Sequence, residues 1–162
     1  MEKFSDALRK VHGFYEKFDI ALAAASAVDF RDVGDLLRYQ FHERIERIVG
    51  SLGKSIFLPH RDIDWVSWKP QKIWDVACNI VVPNSDLLIL DGGIPSADVG
   101  LMLGSALANR IPFICFYERD RKGNLRDIER YLDPDYVTRI EFDTEKEGLE
   151  KLEVTLSNHY GL

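Results

Sequence analysis

The residues best placed to do chemistry fall between Asp86 and Tyr117, where Asp91, Gly92, Gly93, Ser96 and Asp98 follow one another within a few positions. The apolar run Leu87 to Leu90 is too short for a helix and reads as a buried strand. Gly92 and Gly93 then permit backbone geometries that side chains forbid. Ser96 stands where an N-cap belongs, ahead of small and apolar residues that run to Ala108. A helix that opens beside the carboxyl end of a parallel strand offers free backbone N–H groups and a positive dipole end, and phosphates and other anions bind there. Asp98 falls in the first turn, where an acidic residue stabilises the helix through its dipole.

Other polar residues follow strands in the same way. His60 and Arg61 come after Phe57-Leu58-Pro59, where a histidine could stack on or hydrogen-bond a base and an arginine could hold an anion in bidentate fashion. The competing reading is a surface network of Arg61 with Asp62 or Asp64, with a capping histidine. Trp65, Trp68 and Trp74 offer an aromatic wall for a planar base, or ordinary core anchors. Arg119, Arg121 and Lys122 form a basic run after a later strand, with Arg126 nearby, and such a run also suits a solvated surface. Asp75 reads as a solvated helix residue and Asp91 as a loop-fixing one. Asp91, Gly92, Gly93, Ser96, His60, Arg61 and Arg119 are the nucleotide-binding candidates.

These residues need a scaffold that gathers loops. Phe4, Leu8, Val11 and Tyr15 predict an amphipathic helix over Glu2 to Lys17. A buried strand follows over Asp19 to Ala25, then a long helix from about Val33 to Leu52 with Gly53 as its stop. A short strand over Ser55 to Leu58 leads into a polar and aromatic loop from Pro59 to Lys69. A helix from Pro70 to Val82 precedes the Asp86 strand. The Ser96 helix, a strand over Pro112 to Tyr117, a short helix over Asn124 to Leu132, a strand over Val137 to Phe142 and a helix over Glu145 to Asn158 complete the chain. Five strands separated by helices imply right-handed crossovers and a parallel sheet covered on both faces. The expected fold is α/β, a flavodoxin-like three-layer sandwich with strand order 2-1-3-4-5 and an extra N-terminal helix. One domain is expected over 1–162, with the helix in 1–18 and the core in 19–162. Ligands in such sheets bind outside the carboxyl ends of the strands, at the switch point between the first strand and the Asp86 strand.

Composition narrows the partners. The chain has 162 residues, 46% of them hydrophobic, which suffices for one core. A net charge of -6 disfavours a nucleic-acid polymer as ligand. No apolar run reaches the length of a membrane span and no leader pattern opens the sequence, so a cytoplasmic location is expected. Cys78 and Cys115 form no ligand pair, and His12, His42, His60 and His159 show no ligand spacing. The expectation is no metal and no cofactor.

The segment Phe57-Leu58-Pro59-His60-Arg61-Asp62 and the run Ser96-Ala97-Asp98-Val99-Gly100-Leu101-Met102-Leu103-Gly104 resemble the nucleoside 2-deoxyribosyltransferases and the 2′-deoxynucleoside 5′-phosphate N-hydrolases. The likeness spans roughly residues 19 to 120 and is most specific in the frame of Gly100, Leu103 and Gly104. It implies a nucleoside or nucleotide ligand, cleavage or transfer at the N-glycosidic bond, and a homodimer or higher oligomer; the Ser96 and Pro70 helices, wrapped by apolar residues more fully than a one-sided surface helix needs, are the expected contact surfaces. By the same resemblance Ser26 matches a phosphate-holding serine of the first loop, Arg31 substitutes for an arginine absent at Val28, and the Arg119 loop completes a phosphate site. A serine in a turn also makes local backbone hydrogen bonds. Two positions depart from the family: Met102 stands in place of its glutamate nucleophile and Cys78 in place of its aspartate. Asp98, one helical turn before Met102, is the carboxylate that could act instead. Two readings stay open, an N-glycosidase with a relocated carboxylate and an inactive nucleotide sensor or regulatory protein with the same crevice. Asp91-Gly92-Gly93 also resembles the glycine loop of the lysine-decarboxylase-like nucleotide phosphoribohydrolases, whose helix glutamate is missing here too.

Overall fold

The computed structural model describes residues 3–25, 37–94, 96–120 and 137–162. Ser26, Arg31, Arg121, Lys122, Arg126 and the helix expected over Asn124 to Leu132 lie outside the described residues. The elements are α1 (Phe4–His12), β1 (Ile20–Ala23), α2 (Arg38–Ser51), β2 (Ile56–Phe57), the single turn α3 (Pro59–Asp62), α4 (Pro70–Trp74), β3 (Leu87–Asp91), α5 (Ala97–Ala108), β4 (Phe113–Glu118), β5 (Val137–Phe142) and α6 (Glu145–Tyr160). All strand pairs are parallel and the order is β2-β1-β3-β4-β5, a flavodoxin-like α/β sheet.

The strands are apolar runs because the sheet is covered twice. In β3, Leu88 and Leu90 enter one core with Ala77, Ile80, Met102 and Leu103, while Leu87 and Ile89 enter the other with Phe41, Ile45, Phe116 and Leu152. The period of two therefore places Asp91, the last residue of β3, on the α2 side of the sheet. Ile20 of β1 pairs with Leu87 and Ala23 with Leu90, so β1 and β3 end together at the switch point.

Besides the single turn α3, which lies within the loop expected from Pro59 to Lys69, two elements depart from the sequence expectation. The helix that starts at Pro70 is α-helical only to Trp74, then runs as a π-helix over Asp75–Val81 and a 3₁₀ turn over Val82–Asn84. Wider winding changes which carbonyls find backbone donors, and side chains bond three of them here. Ser105 of α5 donates its hydroxyl to the Cys78 carbonyl, Asn84 Nδ2 donates to Ile80 at 2.7 Å, and Ser85 Oγ donates to Val81 at 2.9 Å. Asp75 is buried rather than solvated. It accepts hydrogen bonds from His12 Nε2 at 2.8 Å, Gln71 at 3.1 Å and Asn79 at 3.0 Å. Burial opposes its ionisation, but these bonds outweigh it and leave the carboxyl below its ordinary value.

The second departure is α1, which packs on the π-helix by its polar side. Ser5 and Arg9 are buried, whereas Phe4, Val11 and Tyr15 are 69%, 74% and 63% exposed. The His12 to Asp75 bond and a 3.0 Å bond from Arg9 to the Glu16 carbonyl fix this orientation. Gly13, at φ 64°, closes the helix in the left-handed conformation that glycine adopts without strain. Among the described residues no helix is long and apolar enough to cross a membrane.

Candidate functional site

The carboxyl edge of the sheet carries two polar arrangements, one on each face. On the α5 face a narrow cavity lies against Ala24, Trp65, Ile73, Trp74, Asp98 and Met102. Ser96 caps α5 by accepting the Asp98 N–H at 3.1 Å, which sets the first turn and with it the direction of Asp98. Asp98 and Met102, four residues apart, thus share the same cavity wall. Two tryptophans close it, and Trp65 is pinned by donating its indole N–H to the Pro59 carbonyl at 2.8 Å. The free space is about 20 Å³, room for a water and not for a ring. A planar ligand needs more room than this, and Trp65, 40% exposed, is the more exposed of the two tryptophans in the wall.

Cys78 lies within electrostatic reach of Asp98. Burial first, then the charges of Asp98 and Asp75, push its thiol up to about 11. It is therefore neutral at physiological pH and supplies no thiolate.

On the α2 face a charged cluster holds helix to strand. Arg38 Nε and Nη2 grip both oxygens of Asp91 at 2.8 and 2.7 Å, and Arg38 Nη1 reaches Glu118 Oε1 at 2.6 Å. His42, one turn further along α2, is 2.7 Å from Asp91 Oδ2 through Nε2. The Gly93 N–H adds a 3.0 Å bond to Asp91 Oδ1. Burial opposes charge on Asp91, yet Arg38 and His42 outweigh it and hold the carboxyl well below the usual carboxylate range. The Arg38 guanidinium is likewise raised against its own desolvation by Asp91 and Glu118. Gly93 is required sterically, since a Cβ there would lie 2.8 Å from Arg38 Nη2.

The remaining candidates are dispersed. His60 stacks on Tyr39 with ring centroids 4.4 Å apart and bonds Glu43 Oε1 through Nε2 at 2.8 Å. Arg61 pairs with Asp62 at 2.9 Å, with Glu46, and with the Ile56 carbonyl at 3.2 Å. Arg119 pairs with Glu141 at 3.1 Å and Asp143 at 3.0 Å beside β5. Trp68 packs edge-on against Phe14 under Lys72, away from Asp98. Gly92 donates its N–H to the Phe116 carbonyl at 2.9 Å and so extends the β3 to β4 ladder past Asp91. The fold thus brings Asp98, Met102, Trp65 and Trp74 together, and separately gathers Asp91 and Gly93 with Arg38.

Sequence reasoning passed over Arg38, Tyr39, His42 and Glu43. The signal was present, because Arg38, His42, Ile45 and Val49 recur at helical spacing and all are buried. An arginine and a histidine at the head of a core stripe require a buried acid opposite them.

No family model matches the sequence, and no curated protein matches it. Among solved structures, the fold is similar to that of BcmB, a CMP N-glycosidase of Clostridium botulinum, with a TM-score of 0.63 and 19% sequence identity. The match covers 84% of this chain and 98% of that one.

Proposed function

We propose that this protein binds a nucleoside or nucleotide at the carboxyl edge of β1 and β3 and cleaves its N-glycosidic bond, with Asp98 as the carboxylate. The observation that carries this reading is the placement of Asp98 and Met102 on one wall of the tryptophan-lined cavity. Shared architecture with a CMP N-glycosidase supports the ligand class. In the proposed step an Asp98 oxygen bonds the anomeric carbon as the bond to the base nitrogen breaks. The bonding pair leaves with the base, which takes a proton from water, and a second water then releases the sugar from Asp98. Trp65 and Trp74 flank the planar base. We further propose a homodimer through α5 and the Pro70 helix, consistent with Leu101 and Leu107 at 49% and 44% exposure. Light scattering of the purified protein tests that part.

Met102 and the neutral Cys78 favour a second reading, binding without turnover, because neither supplies a carboxylate at its position. One experiment separates the two. Free-base release is followed by liquid chromatography from a panel of deoxynucleosides, ribonucleosides and their 5′-monophosphates, with thermal-shift binding on the same samples. Release that disappears in Asp98→Asn establishes the N-glycosidase; stabilisation without release establishes the binding protein. Neither release nor stabilisation across the panel overturns both.

A further inference from the structure

His42 and His60 come from different elements, α2 and α3, yet their rings lie 5.8 Å apart with planes tilted by 35°. Each imidazole is held by a carboxylate through the same atom. His42 Nε2 is 2.7 Å from Asp91, and His60 Nε2 is 2.8 Å from Glu43. Both Nδ1 atoms are buried without a hydrogen-bond partner. His42 is only 1% exposed, so bulk water does not satisfy its Nδ1. A buried imidazole nitrogen without a partner is costly, and its occurrence in two adjacent rings calls for a shared occupant.

We propose that His42 and His60 bind one divalent transition-metal ion of the zinc type between their Nδ1 atoms. Four observations support the assignment independently of the reading given to Asp98. First, a carboxylate on the far nitrogen is the usual outer-shell partner of a metal-bound histidine, since it fixes the tautomer and raises the basicity of the ligating nitrogen. In both contacts a carboxylate oxygen lies within hydrogen-bond distance of Nε2, and such an oxygen accepts. Each Nε2 therefore donates, and each Nδ1 of a neutral ring presents a lone pair. Second, two imidazoles bound to one ion at about 2.1 Å keep their ring centres roughly 5 to 6 Å apart, as found here. Third, the side chains networked with the pair are the carboxylates Asp91, Glu43, Glu46 and Glu118 against the guanidinium groups of Arg38 and Arg61, so carboxylates outnumber cations and the field favours a cation. Fourth, nitrogen donors select zinc, cobalt, nickel or copper over magnesium and calcium. Among the described residues no group of three or more ligating side chains converges on one point. The ion therefore takes two protein donors and completes its shell with water or an exogenous ligand, and its affinity is correspondingly modest.

The test uses the full chain freed of metal by chelation. Nitrogen-15 correlation spectra of the imidazoles first report the tautomers. Both His42 and His60 are expected as Nε2–H, and a Zn²⁺ titration is expected to shift both Nδ1 resonances together at one equivalent. Co²⁺ absorbance and calorimetry then follow His42→Gln, His60→Gln and the control His12→Gln/His159→Gln. Each single variant weakens binding by at least tenfold, and the control leaves it unchanged. An Nδ1–H tautomer in either ring overturns the proposal. So does a Zn²⁺ response confined to one ring or absent from both. The spectra are taken on the unaltered protein, so the proposal stays refutable even where His42→Gln fails to fold.

Discussion

The substitution Asp91→Asn tests how α2 is anchored across the end of the sheet. It conserves volume and removes the charge that Arg38 grips at 2.7 and 2.8 Å and His42 meets at 2.7 Å. The side chains of Arg38 and Asp91 are 9% and 3% exposed, so water cannot replace the lost partner. Removing one member of such a buried pair typically costs about 3 to 5 kcal/mol, because the other charge stays buried. That is a large share of the roughly 5 to 15 kcal/mol that holds a domain folded. In urea, with a slope of about 1 to 3 kcal/mol per molar, the midpoint should fall by roughly 1 to 5 M. Glu118→Gln provides the contrast. Glu118 is 26% exposed and Arg38 retains Asp91, so the expected cost is only about 1 kcal/mol. The pH dependence follows from the depressed carboxyl of Asp91. Its contribution is fully present above the ordinary unfolded carboxylate value near about 4, and it drains away as the pH falls below that toward the folded value. The stability gap between wild type and Asp91→Asn should hold constant from pH 7 to about 5 and narrow below about 4. Equal costs for the two variants, or a loss under about 1 kcal/mol for Asp91→Asn, would refute the anchoring role.

Three further outcomes are expected. Gly148→Ala should lower stability by about 1 to 3 kcal/mol despite alanine's better helix propensity, since its Cβ would lie 2.7 Å from Phe142 and 3.0 Å from Phe116; a thermal melt with no loss contradicts the packing. Cys78 should alkylate slowly at pH 8, and Asp98→Asn should speed it by removing a neighbouring negative charge, whereas an unchanged rate would separate Asp98 from Cys78. His12→Ala should cost about 1 to 3 kcal/mol and raise hydrogen exchange across 4–12, while Phe4→Ser and Val11→Ser stay within about 0.5 kcal/mol, the reverse of what the apolar stripe of α1 predicts.

The reversal in α1 shows where sequence patterning succeeds and where it stops. Strands buried on both faces carry a signal in every residue, so Val137–Phe142 and the 2-1-3-4-5 order were legible from short apolar runs and the helices between them. A one-faced helix is legible only when its apolar side is the buried side. In α1 the partner surface is the π-helix with a buried carboxylate, so Ser5, Arg9 and His12 turn inward beside Leu8, while Phe4, Val11 and Tyr15 turn out. That π-helix was itself hidden, because the side chains of Ser105 and His12 that bond to it come from far away in sequence. The site divided along the same line. Asp98 and Met102 were legible together because four residues on a helix is a local relation. The glycine loop instead suggested that Asp91 faces a ligand, although alternation along Leu87, Ile89 and Asp91 already assigned it to the α2 face. A charge at the inward register of a central strand demands a buried partner before it can serve a ligand. Arg38 and His42, at the head of the stripe that continues through Ile45 and Val49, meet that demand. Applying strand register to polar residues as strictly as to apolar ones would have found the cluster, and with it His42, whose Nδ1 lacks a partner.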